Sequence, residues 1–145
     1  MTTPKDRPIG SIGWSCLFGA WLIALAATLG AVYIGEIFGL TPCQLCWYQR
    51  IAMFPLALIL GVACLRNDAG VGCYALPLAL AGGGVALWHS LLYVGWPPTS
   101  IAPCQAGVSC TGAGMTFMEL PLPMLSLGAF LAISVLLLAG KRKSQ

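Results

Sequence analysis

Charged residues are scarce in this sequence: they make up 8% of its 145 residues, while 59% are hydrophobic. A soluble domain carries about 25% charged residues, and its apolar residues do not form long uninterrupted blocks. This composition excludes a soluble globular domain and indicates an integral membrane protein. The chain also lacks a glycine-rich nucleotide-binding fingerprint, so we expect no bound nucleotide cofactor. We also expect no nucleic-acid partner.

Four apolar blocks account for most of the chain, at residues 12–38, 46–65, 71–96 and 121–139. Each is long enough for an α-helix to cross the roughly 30 Å hydrocarbon core of a bilayer. The first block is far longer than the roughly 7–15 apolar residues of a secretion signal, so it counts as a span. The sequence therefore predicts an all-α membrane protein, a single four-helix transmembrane domain over residues 1–145.

The basic residues predict the orientation of these spans. If the chain crosses the membrane four times, six of the seven lie on one side: Lys5, Arg7, Arg66, Lys141, Arg142 and Lys143. The positive-inside rule places that side in the cytoplasm. Both termini and the turn at 66–70 are then cytoplasmic, and the segments 39–45 and 97–120 face outside.

Seven cysteines are unevenly distributed over this topology. Two pairs fall in the outer segments, where the compartment is oxidising and disulfides persist: Cys43 with Cys46, and Cys104 with Cys110. The other three lie within spans and are expected to behave as small apolar residues: Cys16, Cys64 and Cys73.

The stretch TPCQLCWYQR, residues 41–50, has the pattern of a helix start. Thr41 is the predicted N-cap, Pro42 the first helical residue, and Gln44 completes a capping box. Cys43 would then lie in the first turn, where free N–H groups and the helix dipole favour an anion. A thiolate, the reactive form of cysteine, is the anion available there.

Helical spacing places Cys43, Cys46, Trp47 and Arg50 on one face of the second span. The Arg50 guanidinium can stabilise a Cys46 thiolate or donate a hydrogen bond to a carbonyl oxygen of a bound ligand. Alternatively, it reaches the membrane interface or pairs with Glu36. A charge inside a membrane is costly and usually functional, which favours the ligand interpretation.

His89, the only histidine, lies about 10 Å below the outer end of the third span, near the depth of Arg50. It is either a hydrogen-bonded core residue or a second polar contact for the same ligand. The run Gly82, Gly83 and Gly84 in the same span predicts close packing against a neighbouring helix.

The two outer pairs have further interpretations. Four cysteines could form a tetrahedral zinc site, but Arg50 would add positive charge beside the metal. Either pair could also be a purely structural disulfide. The segment 97–120 contains several prolines and glycines and no basic residue, so it is expected to be irregular and able to present Cys104 and Cys110 to a partner.

The stretch PCQLCWYQR resembles the signature of the DsbB/BdbC disulfide bond formation proteins, which are four-helix membrane enzymes with a CxxC at the start of the second helix. The order of features is similar over nearly the whole chain, including a span with one histidine, a second cysteine pair and a proline-led last span, LPLPMLSLGAF. The close spacing in PCQAGVSC resembles the BdbC-type branch.

The resemblance implies a thiol oxidase of the bacterial cytoplasmic (inner) membrane, with its active site facing the periplasm. It would re-oxidise a DsbA-like, thioredoxin-fold dithiol protein and pass the electrons to the membrane pool of ubiquinone or menaquinone. Cys104–Cys110 would meet the partner, with Cys104 forming the mixed disulfide, and Cys43–Cys46 would re-oxidise that pair. Cys46 would face the quinone, and three further residues are assigned to the quinone site: Arg50, His89 and Trp47.

Two other classes of protein remain as alternatives. A four-span heavy-metal binding or transport protein would pass an ion through Cys64 and Cys73, and it would hold its outer cysteines as free, metal-loaded thiols. A vitamin K epoxide reductase type of enzyme would carry its quinone-proximal CxxC on the last helix, whereas here the motif opens the second span.

Overall fold

The computed structural model describes residues 10–39, 41–96, 116–117 and 120–143. It contains four long helices: α1 (Ser11–Glu36), α2 (Gln44–Arg66), α3 (Gly72–Val94) and α4 (Leu122–Lys143). Each is long and apolar enough to cross a membrane, which confirms the prediction of an all-α, multi-pass membrane protein. Two short strands, β1 (Thr116–Phe117) and β2 (Leu120–Pro121), pair antiparallel just before α4.

The four helices form a bundle in which α2 and α4 each pack against both α1 and α3. Buried positions are dominated by alanine, which lets helix backbones approach closely inside a membrane. Large side chains fill the remaining space, with Leu56, Leu60, Phe130 and Ile133 almost fully buried. Many leucines and valines on the outer faces are exposed, as expected for helices that meet lipid tails rather than water.

A tight connection joins α2 to α3 at one end of the bundle. Asn67 caps α2 in the left-handed conformation at φ 54°, and a short 3₁₀ turn, Ala69–Val71, follows. The Asp68 carboxylate accepts hydrogen bonds from Gly70 N–H at 2.8 Å and from the Tyr74 hydroxyl at 2.7 Å. These contacts satisfy backbone and side-chain groups that the chain reversal would otherwise leave unpaired.

At Gly82, helix α3 packs closely against α2 and α4. A Cβ atom built there would overlap the ring of Phe130 and lie 2.9 Å from Ala52 Cβ. Two positions later, a Cβ at Gly84 would meet nothing within 4 Å. The predicted close packing is therefore confirmed for Gly82, while Gly84 lies at the exposed surface.

This contrast makes a matched pair of substitutions informative. We expect Gly82→Ala to destabilise the protein by about 1–3 kcal/mol, because the rigid ring of Phe130 and the backbone of α2 must move to admit a methyl group. Gly84→Ala should be neutral or slightly stabilising, since alanine favours the helix and meets no neighbour. Thermal unfolding of both variants in detergent checks this; equal midpoints would contradict the packing at Gly82.

Candidate functional site

The N-terminus of α2 starts two residues later than the sequence pattern predicts. Cys43 is the N-cap, and its sulfur accepts a hydrogen bond from Cys46 N–H at 3.4 Å. The assignment of Thr41 as N-cap and Pro42 as first helical residue is therefore wrong, because Cys43 caps the helix with its own sulfur. Gln44 does not complete a capping box either; its amide donates to the Tyr48 hydroxyl at 3.4 Å.

The two cysteines of this turn lie against each other. Their Sγ atoms are 3.0 Å apart, and both are free thiols in this structure. Cys43 is buried, with 1% of its surface exposed, whereas Cys46 is half-buried. A disulfide needs a separation of about 2.0 Å, so a small adjustment of the side chains converts the pair between its reduced and oxidised forms.

Cys43 is the more acidic partner. Its pKa is lowered below the usual value of a cysteine, chiefly because the Cys46 thiol donates a hydrogen bond to its sulfur. The side chain of His89 and the N–H of Cys46 also stabilise the thiolate, while burial acts in the opposite direction. The lowered pKa favours the thiolate form of reduced Cys43, which is the form that reacts in thiol–disulfide exchange.

A series of contacting polar side chains extends from Cys43 into the bundle. His89 is fully buried on α3, and its Nε2 lies 3.8 Å from Cys43 Sγ. Its other ring nitrogen, Nδ1, lies 3.0 Å from the side-chain amide of Gln49 on α2. The far end of that amide lies 2.7 Å from the hydroxyl of Ser126 on α4. Three helices therefore converge on the buried thiol.

Arg50 lies one turn beyond Cys46 and ties α2 to α1. Its guanidinium donates a hydrogen bond to the carbonyl oxygen of Ala31 at 2.8 Å, and its Cζ lies 5.8 Å from the centre of the Trp47 ring. The hydrogen bond goes to the α1 backbone, and the structure shows no pairing with Glu36 among the residues it describes. Trp47 itself is 54% exposed.

A large cavity opens beside this pair of cysteines, between α1, α2 and α4. Its volume is about 590 Å³, within the range of about 300–1,000 Å³ typical of ligand sites. Cys46, Gln49 and Arg50 form its polar wall, and most of the remaining lining is apolar, including Ile23, Gly30, Phe54, Leu125 and Gly128. The cavity thus has a charged donor and a thiol at one wall and room for an apolar group.

The structure divides the predicted site residues into two groups. Cys46 and Arg50 line the cavity, whereas Cys43, His89 and Trp47 are not part of its lining. Cys43 and His89 instead contact each other behind the thiol pair. The proposed role of His89 and Trp47 at a quinone stays a prediction.

Sequence reasoning missed Gln49 and Ser126. Gln49 lies three residues after Cys46, so helical spacing could have placed it on the same side of α2. Ser126 gave no signal in the sequence, because only the packing of α4 against α2 brings it to the amide. Cys104 and Cys110 lie outside the described residues, so their predicted roles stay predictions.

The same cluster has the donor types of a metal site. One donor atom each from Cys43, Cys46 and His89 lies within 4.8 Å of the others. With metal–sulfur bonds of about 2.3 Å, tetrahedral zinc needs its sulfurs about 3.7 Å apart. The observed 3.0 Å suits a thiol pair better than two zinc ligands.

Three cysteines belong to other parts of the described chain. Cys16 lies on α1 near the start of the helix, Cys64 near the end of α2 and Cys73 at the beginning of α3. All three are free thiols. Since α2 ends and α3 begins at the end of the bundle opposite the Cys43–Cys46 pair, Cys64 and Cys73 are remote from it.

Comparison with known proteins agrees with this geometry. The family model described as "Disulfide bond formation protein DsbB" matches residues 14–140. A "Probable disulfide formation protein" of Metapseudomonas resinovorans is 51% identical over 97% of this chain and 98% of its own length. "Disulfide bond formation protein C" of Bacillus subtilis is 41% identical over 87% of this chain and 94% of its own. A "Probable disulfide formation protein" of Chlamydia trachomatis is 43% identical, covering 88% and 94%. No solved structure matches the chain significantly.

Proposed function

This chain belongs to the DsbB family of disulfide bond formation proteins, which confirms the resemblance drawn from PCQLCWYQR, and we propose that it transfers electrons from a DsbA-like dithiol protein to a membrane quinone. A thiol oxidase role in disulfide bond formation follows from the family. The quinone and the thioredoxin-fold partner are the parts that we propose.

The position of Cys46 carries this proposal. Its sulfur lies 3.0 Å from Cys43 Sγ, and its side chain forms part of the cavity wall. A quinone has a flat ring with two carbonyl oxygens and an apolar tail, and it accepts two electrons and two protons. The Arg50 guanidinium offers a charge-assisted hydrogen bond to a ring oxygen. The apolar lining between α1 and α4 suits the tail.

The exchange chemistry follows from the thiols of this chain. A reduced client gives up two thiol protons and two electrons as it forms its disulfide. We propose that the Cys104–Cys110 disulfide accepts these electrons first, with Cys104 forming the mixed disulfide. The resulting thiols then reduce Cys43–Cys46. Oxidation of the Cys43–Cys46 pair then transfers two electrons and two protons to the quinone. No net charge therefore accumulates at the site.

The site lies at the bundle end opposite the connection between α2 and α3. Arg66 at that connection and the basic residues at the end of α4 favour a cytoplasmic location for the connection. We therefore propose a bacterial cytoplasmic membrane with the thiols facing the periplasm, where oxidised pairs persist. The names of the three relatives refer to disulfide formation rather than metal transport, which favours the oxidase over the heavy-metal alternative.

Filling the cavity tests the proposal without touching a polar residue. Gly30 and Gly128 line the cavity, and a Cβ at either position would meet nothing within 4 Å. We expect Gly30→Leu to lower kcat/KM for quinone at least about tenfold, because a branched side chain occupies space that the acceptor needs. Steady-state quinone reduction with a reduced dithiol protein measures this effect.

Gly84→Leu is the matched control. Gly84 also lies in open space, but it is exposed on α3 and does not line the cavity. We expect unchanged quinone kinetics in this variant. Thiol–disulfide exchange between oxidised protein and client in the absence of quinone should be normal in both variants. Normal quinone kinetics in Gly30→Leu would contradict the assignment of this cavity.

A further inference from the structure

The guanidinium of Arg50 lies against the backbone of α1 near the C-terminal end of that helix. Its Nη2 donates a hydrogen bond to the Ala31 carbonyl oxygen at 2.8 Å. One turn later, a Cβ atom built on Gly35 would lie 3.2 Å from Nη2 and 3.4 Å from Nη1. The guanidinium therefore occupies the space that any other side chain at position 35 would need. We call the Ala31 carbonyl and the bare Cα of Gly35 the Arg50 seat.

The electrostatics of this helix end favour a cation in the seat. Helix α1 ends at Glu36, and its last turn contains no basic residue. The last carbonyl groups of a helix carry a partial negative charge, so they attract a positive group from a neighbouring element. Arg50 of α2 supplies that group. Its acceptor is a neutral carbonyl, so the hydrogen bond orients the guanidinium and leaves its charge intact, whereas a carboxylate partner would cancel that charge.

A second contact restricts the same group from its own helix. The Cζ atom of Arg50 lies 5.8 Å from the centre of the Trp47 ring, within the roughly 6 Å range of cation–π attraction. Trp47 is not part of the cavity lining, whereas Arg50 is. An arginine side chain has many rotamers, and a ligand that must order it loses binding energy to that ordering. A guanidinium that is already fixed in place avoids most of this loss.

We propose that Gly35 is a positioning residue for the quinone site: because it has no side chain, the seat can hold the Arg50 guanidinium at the cavity wall. A guanidinium has five N–H groups, and the hydrogen bond to Ala31 uses one of them, so others remain for an oxygen atom of the acceptor. Trp47 then acts through the guanidinium rather than by touching the acceptor. This inference rests on the proposed function, because it concerns the orientation of the group that meets the quinone.

A second glycine of α1 provides a matched comparison. Gly19 and Gly35 are both half-buried in the same helix, and neither lines the cavity. A Cβ atom at Gly19 would meet the Leu136 Cδ1 atom at 3.6 Å, which is ordinary van der Waals contact. The same change from glycine to alanine therefore meets a hydrogen-bonded guanidinium at position 35 and a methyl group at position 19.

We expect Gly35→Ala to raise the KM for decylubiquinone about threefold and Gly35→Val at least about tenfold, because a methyl group displaces Nη2 slightly and a branched side chain displaces it from the seat. The kcat and the KM for the reduced dithiol protein should change little, since the nearest neighbours of the new side chain all belong to Arg50. Gly19→Ala should leave all three constants unchanged. Steady-state kinetics of the purified variants measures them. An unchanged quinone KM in Gly35→Val would overturn the proposal.

An Arg50→Ala background shows whether Gly35 acts through the guanidinium. In that background Gly35→Val should cause no further rise in the quinone KM, because the new side chain has no guanidinium to displace. The same rise in both backgrounds would show that residue 35 acts by another route, and it would overturn the proposal.

Trp47 is tested by a conservative pair of substitutions. Loss of a cation–π contact at an exposed position corresponds to about two- to fivefold in affinity, so we expect that rise of the quinone KM in Trp47→Leu. Trp47→Phe keeps an aromatic face and should retain most of the affinity. The same KM in both variants would contradict the assignment that Trp47 acts through the guanidinium.

Thermal unfolding in detergent tests the seat without any quinone. In the Arg50→Ala background, Gly35→Ala should raise the unfolding midpoint, because alanine favours a helix more than glycine does and meets no guanidinium. In the protein that retains Arg50, the same substitution should raise the midpoint less or lower it. Identical shifts in the two backgrounds would overturn the proposal. Different shifts, combined with no quinone reduction even by the unsubstituted protein, would support the seat and count against the proposed function alone.

Discussion

Replacing Cys46 with serine is expected to reduce quinone-dependent oxidation of a dithiol protein by at least about a thousandfold, to the background rate. Cys46 is the one sulfur of the described pair that lines the cavity, and its partner Cys43 is buried behind it. Serine has a side chain of similar size, and the backbone N–H of residue 46 can still donate its hydrogen bond to Cys43 Sγ. It cannot form a disulfide, so electrons have no path from the thiols to an acceptor.

Cys64→Ser is the matched control for this substitution. Cys64 lies on the same helix, is also half-buried and is also a free thiol, but it lies near the opposite end of α2. We expect full turnover in this variant. Turnover of Cys46→Ser at a rate comparable with Cys64→Ser, measured by quinone absorbance, would contradict electron transfer through Cys46.

Arg50→Ala is expected to raise the apparent KM for quinone about 10–100-fold. A hydrogen bond from a charged donor contributes about 1.5–3 kcal/mol, and each 1.4 kcal/mol corresponds to about tenfold in affinity. The KM for the dithiol protein should change little, because Arg50 faces the cavity wall and the α1 backbone. The KM of Arg50→Lys for quinone should lie between the values of the unsubstituted protein and of Arg50→Ala, since lysine keeps the charge but lacks the planar pair of donors.

Arg50 also stabilises the contact between α1 and α2 through its bond to Ala31, so the comparison needs a stability measurement. Arg66→Ala removes an arginine from the other end of the same helix, in its last turn. We expect this variant to show normal quinone kinetics. If Arg50→Ala instead lowered the melting temperature while both KM values stayed unchanged, its role would be structural and the ligand interpretation would be wrong.

The membrane spans could be predicted from the sequence because the thickness of the bilayer fixes how long an apolar helix must be. The predicted block at 46–65 and the observed α2, Gln44–Arg66, differ by one or two residues. The helix start at 41–50 was predicted less well. Capping rules favour threonine and proline there, and they do not include cysteine as an N-cap. The Cys43 sulfur nevertheless accepts a hydrogen bond from the Cys46 N–H.

The candidate site was predictable where its residues lie on α2 or at its N-cap. Cys43, Cys46 and Arg50 follow a helical spacing that the sequence displays directly. The orientation of His89 toward Cys43 and the contact of Ser126 with Gln49 depend on how α3 and α4 pack against α2. No local pattern encodes those distances, nor the cavity that opens between α1, α2 and α4. These features belong to tertiary packing.

The central claim is that a lipid-dissolved acceptor takes electrons from the Cys43–Cys46 pair through the cavity at Cys46. The most direct measurement follows quinone and client together: purified protein in lipid nanodiscs, an excess of quinone, and a limiting amount of reduced thioredoxin-fold dithiol protein. We predict one quinol formed for each client disulfide, at a rate that depends on both substrates. Client oxidation without quinol formation, or no loss of quinone when reduced client is added, would contradict the account.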